Sequence, residues 1–201
     1  MIKESLQIYN LLEETETLGP FKRFAIWLQG CNKNCEGCLS PRSKSMTGGK
    51  KYKIPELTSL ISENKNIEGL TISGGEPFLQ AKNLNILINN LKKINDYGII
   101  LYTGYTLEEL KIKNNEDINN LLKNIDLLID GEYNSKLDDG KSLRGSSNQK
   151  IIPLSCRYEN YLDLYGVNGR KIEMFFKKDK IHFSGVPGKK FLKEWNSKFI
   201  N

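Results

Sequence analysis

The sequence predicts an α/β fold around a parallel β-sheet. Between residues 24 and 129, short apolar runs typical of buried strands alternate with segments whose apolar residues recur at helical spacing. This alternation is typical of βαβ units, and right-handed crossovers would wind such units into an open arc or part of a barrel. Hydrophobic residues make up 38% of the 201 residues, which is enough to form a core, and the length favours a single domain over residues 1–201.

The first half of the alternating pattern contains two strands and two helices. An apolar run at residues 24–28 predicts the first strand. Pro55 predicts the start of a helix, because proline is favoured in the first helical turn. Residues 70–72 predict the second strand. Residues 84–91 have the apolar spacing of a second helix, which Gly98 is expected to end.

The second half of the pattern repeats this arrangement. Residues 99–102 predict the third strand, and Thr106 and Glu109 have the spacing of a capping box, which predicts a helix start. Apolar residues within 118–122 continue a helical face, and residues 125–129 predict the fourth strand.

The chain divides into a core of about residues 18–152 and a C-terminal extension of about residues 153–201. In the extension, residues 172–176 and 181–183 predict a β-hairpin. The spacing of the apolar residues near the C-terminus predicts an amphipathic helix that packs onto the domain: Phe191, Leu192, Trp195 and Phe199.

Composition limits the partners and the location. The net charge is +6, yet no block of Lys and Arg suited to a phosphate backbone is present, so we expect no nucleic-acid partner. A solvated Lys-rich surface accounts for the charge, and attraction to an acidic protein is the alternative. No apolar run is long enough to span a membrane, and residues 1–5 lack the apolar core of a signal peptide. We therefore expect no membrane contact and a cytoplasmic protein.

Residues with chemical functions follow each of the four predicted strands. A cysteine-containing loop follows the first strand, a glycine-rich turn at residues 74–77 follows the second, Thr103 follows the third and Asp130 the fourth. Because ligand sites of parallel sheets lie at the carboxyl ends of the strands, these residues predict one common site.

Three cysteines in one short loop predict a metal centre. Cys31, Cys35 and Cys38 can provide one thiolate each to three irons of a [4Fe–4S] cluster, which leaves the fourth iron open to a small molecule with an amine and a carboxylate. Structural zinc is the alternative, and it requires a fourth protein ligand. Cys156 and His182 are the candidates for that ligand, although both lie far away in the sequence.

The cysteine loop, together with the sequence Ser-Gly-Gly-Glu-Pro at residues 73–77, resembles the signature of the radical S-adenosylmethionine (SAM) superfamily. The resemblance implies an open-sided, partial (β/α)6 barrel in which SAM fills the open iron site. It also implies one-electron reduction of the cluster and cleavage of SAM to methionine and a 5′-deoxyadenosyl radical. Gly74 and Gly75 would let the backbone approach SAM, because they have no side chain. Glu76 would either bond the SAM amine or stabilise the turn.

Five further segments carry a narrower resemblance: residues 18–20, 27–31, 102–106, 128–132 and 143–149. They resemble the activating proteins of anaerobic ribonucleotide reductase, a glycyl-radical enzyme. This resemblance implies that reductase as partner, with a one-electron reductant such as flavodoxin or ferredoxin. One departure is Gly131-Glu132, where the resembled sequences usually have Gly-Pro after the aspartate.

Three of the remaining residues keep both a functional and a structural interpretation at this stage. By the resemblance, Asp130 would bond the SAM ribose or hold a cation, or else it starts a turn, and Thr103 would contact the ligand or end its strand. Arg144 would meet the SAM carboxylate or an acidic partner, or form a loop salt bridge. Cys156 is expected to be a buried small apolar residue, and His182 a structural one.

Three other functions stay open. A small-molecule radical SAM enzyme, similar to 7-carboxy-7-deazaguanine synthase, would need a closed cavity and no protein partner. A peptide-modifying enzyme would normally have further cluster cysteines. An iron–sulfur or zinc interaction module would not bind SAM.

Overall fold

An open sheet of seven strands forms the centre of the protein. A computed structural model describes residues 4–177, 180–188, 191, 193–195 and 197. The strands are β1 (Ser5–Thr15), β2 (Arg23–Leu28), β3 (Lys50–Lys53), β4 (Gly69–Gly74), β5 (Gly98–Tyr102), β6 (Leu127–Asp130) and β7 (Lys150–Pro153), and their spatial order is β3-β1-β2-β4-β5-β6-β7.

The four inner strands β2, β4, β5 and β6 are parallel and lie side by side in that order. They confirm the four predicted strands, with small shifts of their ends. Strands β1, β3 and β7 are antiparallel to their neighbours and were not predicted. The fold is therefore mixed α/β with an open sheet. The six β/α units implied by the resemblance are not confirmed, because the described residues contain four parallel strands.

Helices connect the parallel strands. They are α1 (Ile54–Glu63), α2 (Ala81–Lys92), α3 (Leu107–Ile112) and α4 (Glu116–Leu122). Pro55 lies in the first turn of α1, and both hydrogen bonds of the capping box between Thr106 and Glu109 are present, so both predicted helix starts are confirmed. The expectation that Gly98 ends a helix is wrong: α2 ends at Lys92, and a Cβ at Gly98 would lie 1.9 Å from the Tyr158 hydroxyl, so packing requires the glycine. Among the described residues, no helix has the length and hydrophobicity of a membrane span.

Different parts of the chain pack against the two faces of the sheet. Ile99 and Leu101 of β5 belong to the main core beneath helices α1, α2 and α4. Ile100 points to the opposite face, since side chains alternate along a strand. There it packs with Leu143 and Tyr158, which come from the segments after β6 and β7.

A buried arginine ties together the amino-terminal ends of the strands. Arg23 is fully buried, and its Nη1 donates to Glu68 Oε2 at 2.6 Å and to the Tyr158 hydroxyl at 2.9 Å. Its Nη2 donates to the backbone oxygens of Leu70 at 2.7 Å and Gly98 at 2.9 Å. These bonds connect β2 to the starts of β4 and β5 and to the segment after β7.

The predicted C-terminal hairpin is confirmed as β8 (Ile172–Lys177) paired with β9 (Lys180–Gly185). Residues 191, 193–195 and 197 are helical. Leu192 and Phe199 of the predicted terminal helix lie outside the described residues.

Candidate functional site

A cleft of about 730 Å³ opens at the carboxyl ends of the parallel strands. The loop after β2, the turn after β4 and the end of β5 all contribute to its lining, as the sequence predicted for a common site. Of the eight predicted site residues, seven line the cleft: Cys31, Cys35, Cys38, Gly74, Gly75, Glu76 and Thr103.

The cysteine loop is fixed by backbone hydrogen bonds at its start. The Gly30 amide donates to the Ser43 oxygen at 2.8 Å, and the Cys31 amide donates to the Lys44 oxygen at 3.0 Å. Gly30 has a φ of +97° and Gly37 a φ of +74°, in the region that favours glycine. The loop can therefore bend sharply on both sides of its first two cysteines.

The three thiols suit a cluster with separate iron corners. All three cysteines are partly buried, and burial raises the pKa of the Cys31 and Cys35 thiols above the usual thiol value. In the part of the chain that the structure describes, no three His, Cys, Asp or Glu side chains are gathered closely enough to hold a single metal ion. A [4Fe–4S] cluster instead needs one thiolate at each of several irons, so its ligands do not converge on one point. The donor set fits the cluster.

Cys156 lies away from this loop. Strand β7 runs antiparallel to β6, and its last residue, Pro153, pairs with Leu127 at the amino end of β6. Cys156 follows at that far edge and is exposed, so its predicted burial is wrong. The position provides no fourth zinc ligand to the cysteine loop. His182 lies in β9, opposite Phe175, and its side chain is outside the described set.

Close packing explains both glycines of the turn after β4. A Cβ on Gly74, whose φ is +103°, would lie 2.4 Å from the Leu28 amide nitrogen, and a Cβ on Gly75 would lie 2.1 Å from the Gly30 oxygen. Any side chain here would separate the ends of β2 and β4 even without a ligand. The loss of either glycine would thus disturb the packing of the cysteine loop against the end of β4.

Glu76 joins the end of β4 to the end of β5. The side chain is 1% exposed. Its Oε1 accepts hydrogen bonds from the Phe78 amide at 3.0 Å and the Thr103 hydroxyl at 2.9 Å, and its Oε2 accepts one from the Gly104 amide at 2.9 Å. Burial raises the pKa of Glu76, and these three donors oppose that rise. The geometry favours the turn-stabilising interpretation of Glu76.

Asp130 is the one predicted site residue that does not line the cleft. Its side chain is 1% exposed, and its two oxygens accept hydrogen bonds from the backbone amides of Leu107 at 2.8 Å and Lys150 at 3.3 Å. The carboxylate therefore holds the start of α3 and strand β7 against the end of β6.

An ion pair that the sequence did not predict joins the cysteine loop to the segment after β6. Lys33 Nζ lies 3.1 Å from Glu132 Oε1 and 4.0 Å from the centre of the Tyr105 ring. Glu132 lies where the resemblance implies a proline, and here it provides an ionic partner to Lys33 of the cysteine loop. The sequence signal for this ion pair was the glutamate after Gly131, where the resemblance implies a proline.

Arg144 forms the loop salt bridge that was one of its two interpretations. Its Nη2 lies 2.5 Å from Asp139 Oδ2. The neighbouring Gln149 accepts hydrogen bonds from the Gly145 and Ser146 amides and donates to the Gly131 oxygen, which fixes this loop beside the cleft.

The C-terminal extension forms a further wall of the cleft, which the sequence did not indicate. Ile172 of β8 and Ile181 and Phe183 of β9 line it, followed by Val186 and Pro187. The cysteines thus share their cleft with an apolar surface that comes from outside the predicted core.

Comparisons with known proteins agree with this geometry. Residues 17–152 match the protein family described as "4Fe-4S single cluster domain". The chain is 33% identical to the anaerobic ribonucleoside-triphosphate reductase-activating protein of Vibrio cholerae over 142 residues, which are 66% of this chain and 88% of that protein. It is 32% identical to the protein of that name from Enterobacteria phage T4 over 139 residues, 66% of this chain and 85% of the phage protein. It is 29% identical to the 7-carboxy-7-deazaguanine synthase of Methanothermobacter thermautotrophicus over 153 residues, 74% of this chain and 57% of that enzyme.

The fold and the site define an iron–sulfur enzyme with a single-cluster domain. The chain belongs to the radical SAM family that includes the anaerobic ribonucleoside-triphosphate reductase-activating proteins. Its cofactors are a [4Fe–4S] cluster and SAM.

Proposed function

We propose that this enzyme produces a glycyl radical on an anaerobic ribonucleotide reductase. The proposal rests on the cleft that is lined by both the three cysteines and the glycine-rich turn. The chain that forms this cleft aligns with 88% of the length of a reductase-activating protein. The consecutive parallel strands around this cleft support a short, open-sided portion of a (β/α)6 barrel. Such a barrel leaves room for a polypeptide to reach the site.

In this proposal each group of cleft residues has a separate role. Cys31, Cys35 and Cys38 would hold the cluster, and the backbone of the turn at Gly74 and Gly75 would contact the methionine end of SAM. With both cofactors bound and one electron supplied by a flavodoxin or ferredoxin, the site would supply a 5′-deoxyadenosyl radical for the removal of one hydrogen atom from the partner's glycine Cα.

Apolar side chains protect this chemistry. Leu39, Phe183 and Val186 also line the cleft and would keep water and stray reductant away from the radical. The buried carboxylates of Glu76 and Asp130 hold the strand ends in place, because their oxygens are already bonded to backbone amides.

A small-molecule reaction is the second candidate, favoured by the similarity to 7-carboxy-7-deazaguanine synthase over 74% of this chain. It predicts a substrate enclosed in the cleft and turnover without any protein partner. The alignment covers only 57% of the length of that synthase, against 88% of the activating protein, and we therefore favour the activating function.

Electron paramagnetic resonance tests the proposal. The anaerobically reconstituted enzyme, SAM, a reductant and the cognate anaerobic reductase should together give the doublet signal of a glycyl radical. The Cys31→Ala variant should give none, because the cluster loses a ligand. If the wild type cleaves SAM but no radical forms on the reductase, the proposal fails, and turnover of a small molecule should then be sought.

A further inference from the structure

The C-terminal hairpin has two chemically different faces. Paired residues of antiparallel strands share a face, and successive residues alternate between faces. Met174 pairs with Phe183, and Phe176 pairs with Ile181. These four side chains lie on one face together with Ile172, and this set is called the hairpin face.

The opposite side of the hairpin anchors it to the domain. Glu173 Oε2 accepts hydrogen bonds from Thr15 Oγ1 at 2.5 Å and from the Glu16 amide at 3.0 Å. Ser184 Oγ lies 2.6 Å from Thr15 Oγ1. Phe175 packs against the buried cluster that contains Leu12 and Leu18. The hairpin face points away from this anchored side. At its cleft end, Phe183 packs edge to face against Phe191 and Trp195, whereas Met174 and Phe176 at its other end are exposed.

The hairpin face runs from the cleft to the surface. Ile172, Ile181 and Phe183 line the cleft beside the cysteines. Farther along the same face, Met174 is 51% exposed and Phe176 is 74% exposed. Exposed apolar side chains that continue a functional cleft are typical of an interaction surface.

The target residue makes such a surface necessary. A glycine has no side chain by which an enzyme can recognise it, so its neighbours in the partner must provide the specificity. A small substrate held inside the cleft would not need the exposed part of the face. The hairpin also lies outside residues 17–152, the part that matches the family domain, which suits a contact particular to this enzyme's own partner.

We propose that the hairpin face binds the polypeptide segment flanking the target glycine of the partner, through apolar side chains of that segment. The inference rests on the proposed function, since it assumes a glycyl-radical protein as substrate. Binding there would place the glycine at the mouth of the cleft and cover the apolar surface during hydrogen transfer.

A double variant tests the inference. In Met174→Ser/Phe176→Ser, both changed side chains are exposed, so folding, iron content and slow SAM cleavage without partner should equal those of the wild type. The KM for the cognate reductase in glycyl-radical formation should rise about tenfold or more, the change expected when central apolar contacts are truncated. The matched control is Ile94→Ser/Ile112→Ser, which removes apolar side chains of 53% and 82% exposure that do not line the cleft. It should leave this KM unchanged.

Two results would overturn the inference. One is a double variant with an unchanged KM, or a KM raised equally in the control. The other is a weakened affinity for SAM in the double variant, which would make the hairpin a cover of the cofactor cleft. Failure of the proposed function looks different, because then the wild type itself produces no glycyl radical while it still cleaves SAM.

Discussion

Replacing Glu76 with glutamine separates a structural carboxylate from a ligand-binding one. Both oxygens of Glu76 face backbone amides, from Phe78 and from Gly104. Whichever way the glutamine amide is turned, its NH2 group points at one of these N–H groups. One buried donor is therefore left without an acceptor, which costs about 1–3 kcal/mol of the free energy of unfolding. Thr103→Val removes the hydroxyl that donates to the same carboxylate and accepts from the Tyr105 amide, so the expected loss is also about 1–3 kcal/mol.

Urea unfolding of the anaerobically reconstituted proteins, followed by circular dichroism, measures these losses as shifts of the midpoint at constant slope. SAM affinity, measured on the same preparations, should change little in Glu76→Gln. The reasoning would be refuted if Glu76→Gln unfolded at the wild-type urea concentration but bound SAM much more weakly. That result would mean that the carboxylate turns toward the ligand.

Two further predictions concern the opposite edge of the sheet and the cysteines. Arg23→Met should lower the free energy of unfolding by about 3–5 kcal/mol, because it breaks a buried hydrogen-bond network and removes the Arg23 donors from the backbone oxygens of Leu70 and Gly98. Arg157→Met, at a side chain 26% exposed, should cost only about 1 kcal/mol, and equal losses of the two variants in urea unfolding would contradict the assigned burial effect. Cys38→Ala should abolish the content of about four irons that the wild type holds after anaerobic reconstitution, whereas Cys156→Ala should retain it. Iron analysis checks this, and loss of iron in Cys156→Ala would assign that residue to the cluster.

The sequence predicted the parallel strands because they are buried and continuously apolar. Strand β1 escaped notice for a physical reason: its register shifts between Ile8 and Asn10 and between Leu12 and Thr15, so its apolar residues do not alternate regularly. Strand β3, Lys50–Lys53, has a Lys-Lys-Tyr-Lys sequence that gives no apolar signal.

The candidate site was predictable where spacing within one loop decides the chemistry, as for the cysteines. The role of a polar side chain was not predictable where the same residue could bind either a ligand or the backbone. Asp130 follows its strand as expected, but the amides that its oxygens accept from belong to Leu107 and Lys150, about 20 residues away on either side. The hydrogen bonds of Arg23 were unpredictable for the same reason, because Tyr158 lies 135 residues from Arg23 in the sequence.

The carboxyl edge of the sheet needs glycines for close packing and rigidity for chemistry, and these two needs conflict. Glycine raises the conformational entropy that must be lost on folding, so a glycine-rich edge is mobile unless other bonds fix it. Three acidic side chains provide these bonds. Glu76 joins β4 to β5, Asp130 joins β6 to α3 and β7, and Glu132 joins the end of β6 to Lys33 in the cysteine loop. A proline after Gly131 would stiffen this edge by fixing its own φ. In this chain the Lys33–Glu132 ion pair stiffens it instead, and in addition it connects the end of β6 directly to the loop that holds the cysteines.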